Sequence, residues 1–162
     1  MIKLSCLARD LISQSVSKLV FETDSETKFS LIAYQKKNML TKFAAGQVWK
    51  YNTRSHESDS RVIVVRVDSD DQEFGNIIHI YVSGVDIPNA EAPGGKTVFI
   101  QHMPYEEDSL EQSVTELESD TKDLPDYSDG YKLWKDAFEK GEAGVFTVSV
   151  SEAVDFVQQS IG

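Results

Sequence analysis

Carboxylates crowd the stretch between Glu106 and Asp129, and this is the strongest chemical signal in the sequence. Ten of its 24 residues are acidic and only Lys122 is basic, so its formal charge of −9 nearly equals the −11 of the whole chain. Carboxylates at this density repel one another and resist burial, so we expect them to stay hydrated and to present a strong negative potential. A basic protein is the partner that such a surface favours.

Two tyrosines border this acidic stretch, and tyrosine is a common anchor of protein interfaces. We therefore predict a partner-binding surface made of Tyr105, Glu106, Glu107, Asp108, Glu111, Glu116, Glu118, Asp120, Asp123, Asp126 and Tyr127. Trp134 lies nearby, but its helical spacing with Phe138 favours a place in the core. An alternative stays open, because the same acids are also typical of a hydrated helix and loop in an acidic protein.

Two of the three histidines lie in or beside apolar stretches that we predict to be strands. If the strands that carry His79 and His102 pair, their imidazoles approach each other, and Glu106 or Glu107 would then supply a nearby carboxylate. Such a group could bind a zinc-like ion or provide an acid and a base for hydrolysis. Because no HxxxH or HExxH spacing and no cysteine pair accompanies them, we assign no metal, no cofactor and no catalytic residue.

A second acidic cluster, Asp68, Asp70, Asp71 and Glu73, resembles a calcium loop, since clustered oxygen donors are what a hard cation needs. Its spacing lacks the late bidentate glutamate of the full pattern. We therefore interpret this cluster as a hydrated hairpin turn.

Composition limits the classes of partner and compartment. A charge of −11 makes phosphate backbones poor partners, so we expect no nucleic acid. No stretch approaches the roughly 20 apolar residues that cross a bilayer, which argues against a membrane protein. Cys6 is the one cysteine and cannot form an internal disulfide, in keeping with a reducing cytoplasm. We therefore predict a cytoplasmic protein.

The first part of the chain differs in charge from the rest. Residues 1–54 hold nine basic and four acidic residues (+5), whereas the remainder holds seven and 23 (−16). Leu4, Leu7, Leu11 and Val16 recur at helical spacing, and two β-rich stretches, 18–23 and 28–34, flank a polar turn. We predict one domain, 1–162, in which residues 1–42 form an N-terminal amphipathic helix and hairpin extension that docks on residues 43–162.

Alternation of apolar residues predicts strands at 47–51, 61–67, 77–82 and 97–100, with a further strand at 145–150. Capping-box spacing and apolar periodicity predict a helix over 109–118. Another helix carries Tyr131 to Phe138 with Gly141 as its stop, and a last one follows Ser151 as its cap. This order of elements favours an α+β fold, with C-terminal helices packed on a small antiparallel sheet that is strongly bent or closed as an SH3-like barrel.

The segment from Gly46 to Val67, GQVWKYNTRSHESDSRVIVVRV, resembles the opening strands of SH3-like barrel proteins, including plasmid-maintenance ribonuclease toxins. The resemblance covers 22 of 162 residues and implies a barrel. It also implies Arg54, His56 and Arg61 as the residues to suspect for RNA cleavage. The chain has Arg61-Val62 where that toxin family usually has an Arg-Pro pair, so the resemblance is used for the fold alone.

These observations lead to a non-enzymatic binding protein as the first hypothesis. It would be an immunity-type inhibitor or regulator of a basic partner, such as a nuclease-type toxin, bound through Glu106–Asp129. A small hydrolase or nuclease that uses His79, His102 and a nearby carboxylate is the alternative. A ligand-binding or scaffold domain with a homodimeric sheet edge is a third hypothesis, and a homo-oligomer is left open.

Overall fold

The computed structural model describes residues 41–70 and 74–161, and these form five strands and three α-helices. In chain order they are β1 (Gln47–Tyr51), β2 (Arg61–Asp70), β3 (Gly75–Pro88), β4 (Lys96–Glu106), α1 (Glu107–Ser113), β5 (Val114–Asp120), α2 (Ser128–Phe138) and α3 (Val150–Ile161). The predicted N-terminal helix and hairpin lie outside the described residues. The docking of residues 1–42 and the single-domain assignment therefore stay predictions.

All neighbouring strands are antiparallel, and the sheet has the order β4-β3-β2-β1-β5. The α+β class, the antiparallel sheet and the C-terminal helices are confirmed. The SH3-like barrel is wrong, because β5 pairs with β1 and the sheet keeps two separate edges. The edge of β4 is covered in part by Phe146, which bridges to Tyr105 and exchanges backbone hydrogen bonds with Pro104 and Glu106.

One face of the sheet, which we call the α3 face, carries the main apolar core. Alternate residues of the strands point to this face, and α1 and α3 cover it. Its fully buried members include Val62, Val64, Ile78, Ile80, Val82 and Met103 from the strands, Leu110 from α1, and Val150, Ala153 and Val154 from α3. The apolar periodicity of α3 therefore has its expected function of packing one helix face on the sheet.

Within residues 41–70 and 74–161, the opposite face, which we call the α2 face, is covered by α2 at one end only. There Trp134 packs on His79, with ring centroids 4.8 Å apart, and Phe138 packs on Phe74, with ring centroids 5.9 Å apart. Helix α2 ends as predicted, since the Gly141 N–H donates to the Phe138 carbonyl and Gly141 has a φ of +72°.

The prediction of a helix over 109–118 is wrong for residues 114–118. Helix α1 stops at Ser113, and the following residues form β5. The spacing of Leu110, Val114 and Leu117 suits a helix, yet only Leu110 is fully buried. Cross-strand pairing decides the outcome, because Val114 lies opposite Tyr51 and Leu117 lies opposite Trp49 in β1.

The predicted strand at 145–150 is also wrong, since its regular structure is limited to the bridge at Phe146 and α3 begins at Val150. The cap of α3 is Ser149 and not Ser151. The Glu152 N–H donates to Ser149 Oγ at 3.3 Å, and the Ser149 N–H donates back to the Glu152 carboxylate at 3.0 Å. This reciprocal pair is a capping box.

None of the helices among the described residues combines the length and the apolar character needed to cross a membrane.

Candidate functional site

Pairing of β3 with β4 brings the two histidines together, as the sequence predicts for paired strands. His79 lies opposite Pro104, and His102 lies two residues before Pro104, on the same side of β4. His79 Nδ1 and His102 Nε2 are 2.9 Å apart and share a hydrogen bond. The two rings are stacked, with centroids 5.1 Å apart and planes 19° from parallel.

The carboxylate next to this pair is Asp68, and the prediction of Glu106 or Glu107 is wrong. Asp68 Oδ2 lies 3.4 Å from His79 Nε2. Glu106 instead accepts a hydrogen bond from Ser109, and Glu107 accepts one from Asn76. The reason is the register of β2, which places Arg66 opposite His79 and sets Asp68 two residues further along the same strand.

Asp68 has two further partners that hold it in place. Tyr131 Oη donates to Asp68 Oδ2 at 2.7 Å, and Arg66 Nε donates to Oδ1 at 2.6 Å. The Arg66 guanidinium also lies over the Tyr131 ring, 4.7 Å from its centroid. Asp68 is therefore a partly buried residue of β2, so its interpretation as part of a hydrated hairpin turn is wrong. Residues 71–73 of the same acidic cluster lie outside the described ranges.

Helix α2 covers the histidines, and we call Asp68, His79, His102, Tyr131 and Trp134 together the His79 cluster. The Tyr131 and Trp134 rings meet the His79 ring edge-on, at 5.0 Å and 4.8 Å. The helix comes so close that a Cβ atom at position 130 would lie 2.7 Å from the Cβ of His102. Glycine at position 130 therefore allows this approach.

The protonation states in the cluster follow from its burial. Desolvation and the neighbouring His102 lower the pKa of His79 to about 4, and desolvation also lowers the pKa of His102 to about 4. Burial acts to raise the pKa of Asp68, but hydrogen bonds from Tyr131 and Arg66 outweigh it and lower that pKa. At neutral pH the cluster thus holds two neutral imidazoles beside an ionised carboxylate.

This arrangement can pass a proton along a short path. A proton taken up at His102 can be relayed through the shared hydrogen bond to His79, whose Nε2 faces Asp68. His79 is fully buried, and its Nε2 has no hydrogen-bond partner among the described residues, whereas His102 and Asp68, at the two ends of the path, are partly exposed. Within the same residues, no three His, Cys, Asp or Glu side chains are arranged to hold a metal ion.

The predicted partner-binding residues are spread over four elements. Tyr105 lies in β4, Glu111 in α1, Glu116 and Glu118 in β5, and the last acids in the loop that leads to α2. The prediction for Tyr105 as a surface anchor is wrong, because it is 0% exposed and its ring stacks on Phe146 in the core. Strand alternation decides this, since Tyr105 lies opposite Ile78 on the α3 face.

Three of the predicted acids are neutralised by cations of the same chain. Lys42 binds Glu111 at 2.9 Å, Lys50 binds Glu116 at 2.9 Å, and Arg61 holds Glu118 with two hydrogen bonds of 2.8 and 3.0 Å. Hydrogen bonds from Arg61 lower the pKa of Glu118, which keeps this carboxylate ionised. Ion pairs within the chain therefore neutralise part of the negative charge that the sequence places after Glu106.

Glu106, Glu107 and Asp108 lie at the end of β4 and the start of α1. The other four acids lie between the last residue of β5 and the first turn of α2, in the segment Asp120–Asp129, which we call the acidic loop. Its members Asp120, Asp123, Asp126 and Asp129 are exposed and make no ion pair with another described residue. Asp126 accepts a hydrogen bond from the Ser128 N–H at the start of α2, which lowers its pKa. Tyr127 is half-buried beside them, with its ring 6.1 Å from that of Tyr131.

The resemblance to ribonuclease toxins implied three residues for RNA cleavage. Arg54 and Arg61 have structural roles, and the His56 side chain is exposed to solvent. Arg54 forms a forked pair with the buried Glu57 and reaches Asp155 of α3 at 3.0 Å. Arg61 is held by Glu118, and the His56 side chain is largely exposed. The two arginines are thus already engaged in ion pairs within the chain.

A groove of about 390 Å³ lies away from the histidines, between α1 and the start of α3. Its lining residues include Ser109, Ser113, Thr147, Ser149 and Glu152. The Ser113 hydroxyl donates to the Ser109 carbonyl and accepts from the Val150 N–H, and Ser149 caps α3. These polar groups stabilise the ends of the two helices.

Sequence reasoning missed Asp68 and Tyr131 as members of the His79 cluster, and Arg66 as the cation that binds Asp68. The predicted strand ended at Val67, and Asp68 was assigned to the turn after it, whereas β2 continues to Asp70 and keeps Arg66 and Asp68 on one face. What could not be seen was the register that sets this pair beside His79. The comparisons with known proteins add no residue, because no family model, no curated protein and no solved structure matches the chain.

Proposed function

We propose that the chain is a cytoplasmic binding protein that takes a basic protein partner on its acidic loop, as an immunity-type inhibitor or regulator does. The observation that supports this proposal is the charge of the loop. Four exposed aspartates and Lys122 give ten consecutive residues a formal charge of −3, without compensation by another described side chain. Such a local field attracts a cationic surface and speeds its encounter.

A basic protein fits this loop better than a nucleic acid. Phosphate backbones carry the same sign of charge as the loop, and their approach would cost electrostatic energy. A nuclease-type partner, in contrast, presents lysine and arginine side chains where it binds phosphates, and these match carboxylates. Inhibition would follow because the carboxylates compete for the cations that the nuclease needs.

Two apolar side chains in the loop can supply affinity beyond electrostatic attraction. Leu124 is 39% exposed between Asp123 and Pro125, and Tyr127 lies two residues before Asp129. Apolar and aromatic anchors set dissociation rates, whereas surrounding charges mainly set association rates. We assign Leu124 and Tyr127 as anchors, in place of Tyr105.

The test compares two variants with the same change of charge. The first replaces loop acids (Asp120→Asn, Asp123→Asn, Asp129→Asn), and the matched control replaces three exposed acids elsewhere (Asp136→Asn, Glu139→Gln, Glu142→Gln). Association is measured with the basic proteins that affinity capture recovers from the native cell. We expect the loop variant to associate about 10-fold more slowly at low salt, and the control to keep most of the rate.

Equal slowing by both variants would show that only net charge matters. Association that is insensitive to salt would exclude the acidic loop as the interface. Asp126 is left intact in both variants because it binds the start of α2, so a loss of folding does not confuse the result.

A second candidate function rests on the His79 cluster. The hydrogen-bonded imidazoles beside Asp68 have the composition of an acid–base site, in which His102 would take a proton from a water or hydroxyl group. Both histidines are unprotonated at physiological pH and so can accept a proton, although pKa values of about 4 make them weak bases. This candidate ranks second because His79 is fully enclosed and the rings of α2 cover the pair.

A pair of small ester substrates tests this second candidate. Hydrolysis of p-nitrophenyl acetate and of bis(p-nitrophenyl) phosphate is compared for the wild-type chain, a His102→Gln variant and a His56→Gln control. We expect activity to be lost with His102→Gln and kept with His56→Gln, whose side chain is exposed and distant from the cluster in the sequence. Equal activity in all three proteins would exclude the histidine site.

A further inference from the structure

The half of the α2 face that no described helix covers carries a row of apolar side chains. Val48 lies opposite Ile63, and Ile63 lies opposite Tyr81, so the three share one face of β1, β2 and β3. The row continues to β4, because the Tyr81 and Phe99 rings are stacked, with centroids 5.4 Å apart and planes 14° from parallel. We call Val48, Ile63, Tyr81 and Phe99 the open row.

The open row differs from the buried residues next to it. Ile80 and Val82, the neighbours of Tyr81, are 0% exposed beneath α3, whereas Phe99 is 46% exposed and the other three are only half-buried. The row crosses four adjacent strands, a span of about 14 Å at the usual strand spacing. Contiguous apolar side chains on a sheet surface are typical of a protein interface.

The charges that border the open row are matched within the chain. At the β5 end, Lys50 and Arg61 pair with Glu116 and Glu118. At the β4 end, Lys96 Nζ lies 3.1 Å from the Asp86 carboxylate. These pairs leave the surroundings of the row with a local charge near zero in a chain of −11.

We propose that the open row is the interface of a homodimer, in which two copies pack their α2 faces together around a two-fold axis. Two chains of −11 repel each other least where the charge of each is compensated locally, and this is the case at the open row. A basic partner would gain no attraction there. This interface lies beyond the proposed function and does not depend on it.

The geometry of the row suits a second copy. Antiparallel sheets pack face to face at about 10 Å with interdigitating apolar side chains, which a row across four strands provides. A two-fold axis that runs along the row sets each end of the row against the same end in the partner, and it keeps the two α2 helices on opposite sides of the axis. Both ends carry both signs of charge, and each cation can therefore find a carboxylate across the interface.

Sedimentation equilibrium of the full chain over low to high micromolar concentrations tests the dimer. We expect a monomer–dimer equilibrium, and a Phe99→Lys variant should raise the dissociation constant by about 30-fold, as loss of an interface anchor does. The matched control is Phe156→Lys, which places the same charge on a phenylalanine that is 51% exposed on α3, on the opposite side of the sheet, and should leave the constant unchanged. Phe99→Ala gives a second variant without added charge.

Salt dependence separates this interface from the acidic loop. Added salt screens the repulsion between the two acidic chains, so dimerisation should strengthen while binding of a basic partner weakens. Circular dichroism confirms that each variant is folded. A chain that stays monomeric at every concentration overturns the proposal, as does a dimer that Phe99→Lys and Phe99→Ala leave intact. A monomer whose capture of a different protein is abolished by Phe99→Lys also overturns it, because the row would then bind another partner.

Discussion

The two faces of the sheet use the same strands for different purposes. On the α3 face, Ile78, Ile80 and Val82 are fully buried among other apolar side chains. On the α2 face, the alternating residues His79 and Tyr81 belong to a buried polar cluster and to an open apolar row. The comparison shows that strand alternation alone can separate side chains that stabilise the fold from side chains available for chemistry or recognition.

Burial has a different cost on each face. An apolar side chain gains free energy when it leaves water, whereas a buried imidazole loses hydration and regains it only through hydrogen bonds. His79 recovers one such bond, to His102, and its Nε2 stays without one among the described residues. Sites at which local rules of stability are broken in this way are commonly functional sites.

The largest expected effect concerns an ion pair that ties the loop after β1 to α3. Arg54→Ala leaves Glu57, which is 3% exposed, with a buried charge and one remaining donor, the Asp86 N–H. We expect the free energy of unfolding to fall by about 3–5 kcal/mol, measured by urea denaturation. Arg61→Ala is the matched control on the α2 face, because its pair with Glu118 is screened by water, so removal of this pair should lower the free energy of unfolding much less. Similar losses for both variants would contradict the distinction.

The next effect compares neighbours on opposite faces of β3. Ile80→Ala opens a cavity in the α3 core and should lower the free energy of unfolding by about 2–5 kcal/mol. Tyr81→Ala removes a half-buried ring from the open row and should cost less, because water already reaches this side chain. The measurement is urea denaturation at low protein concentration, where chains are monomeric. A larger loss for Tyr81→Ala would mean that the α2 face also stabilises the monomer.

The smallest expected effect is the pH dependence that the His79 cluster confers. The folded-state pKa of His79 lies near 4, below the value of about 6.5 in the unfolded chain, so the unfolded state binds the proton first as pH falls. The stabilising contribution is complete above about pH 6.5 and is lost between 6.5 and 4. For His79 this means a free energy of unfolding about 1 kcal/mol lower at about pH 5.5 than at about pH 7.

Urea denaturation across this pH range, with a His79→Gln variant as reference, measures the effect. The variant should show a flatter profile, since it lacks the group that titrates. A wild-type profile that is flat between pH values of about 4 and 6.5 would mean that His79 titrates normally in the folded chain.

Local patterns in the sequence were sufficient for much of the fold. The β-branched runs of β2 and β3 and the helical spacing of Tyr131, Trp134 and Phe138 each carry their own signal over a few residues. The region of Leu110, Val114 and Leu117 was predicted wrongly because the spacing of its apolar residues favours a helix. Pairing with β1, a contact distant in sequence, decided between them.

The candidate sites, like the fold, depend partly on local sequence and partly on contacts between distant residues. The number of carboxylates and their positions along the chain are read directly from the sequence, which was therefore enough to place a negative segment after Glu106. Which of these acids remain available was decided only by tertiary structure, because the neutralising cations lie 57 residues away for Arg61–Glu118, 66 for Lys50–Glu116 and 69 for Lys42–Glu111. Asp68 likewise meets His79 only through the register of β2 on β3. Ion pairs and strand register join residues that are distant in the chain, and no local pattern encodes their distances.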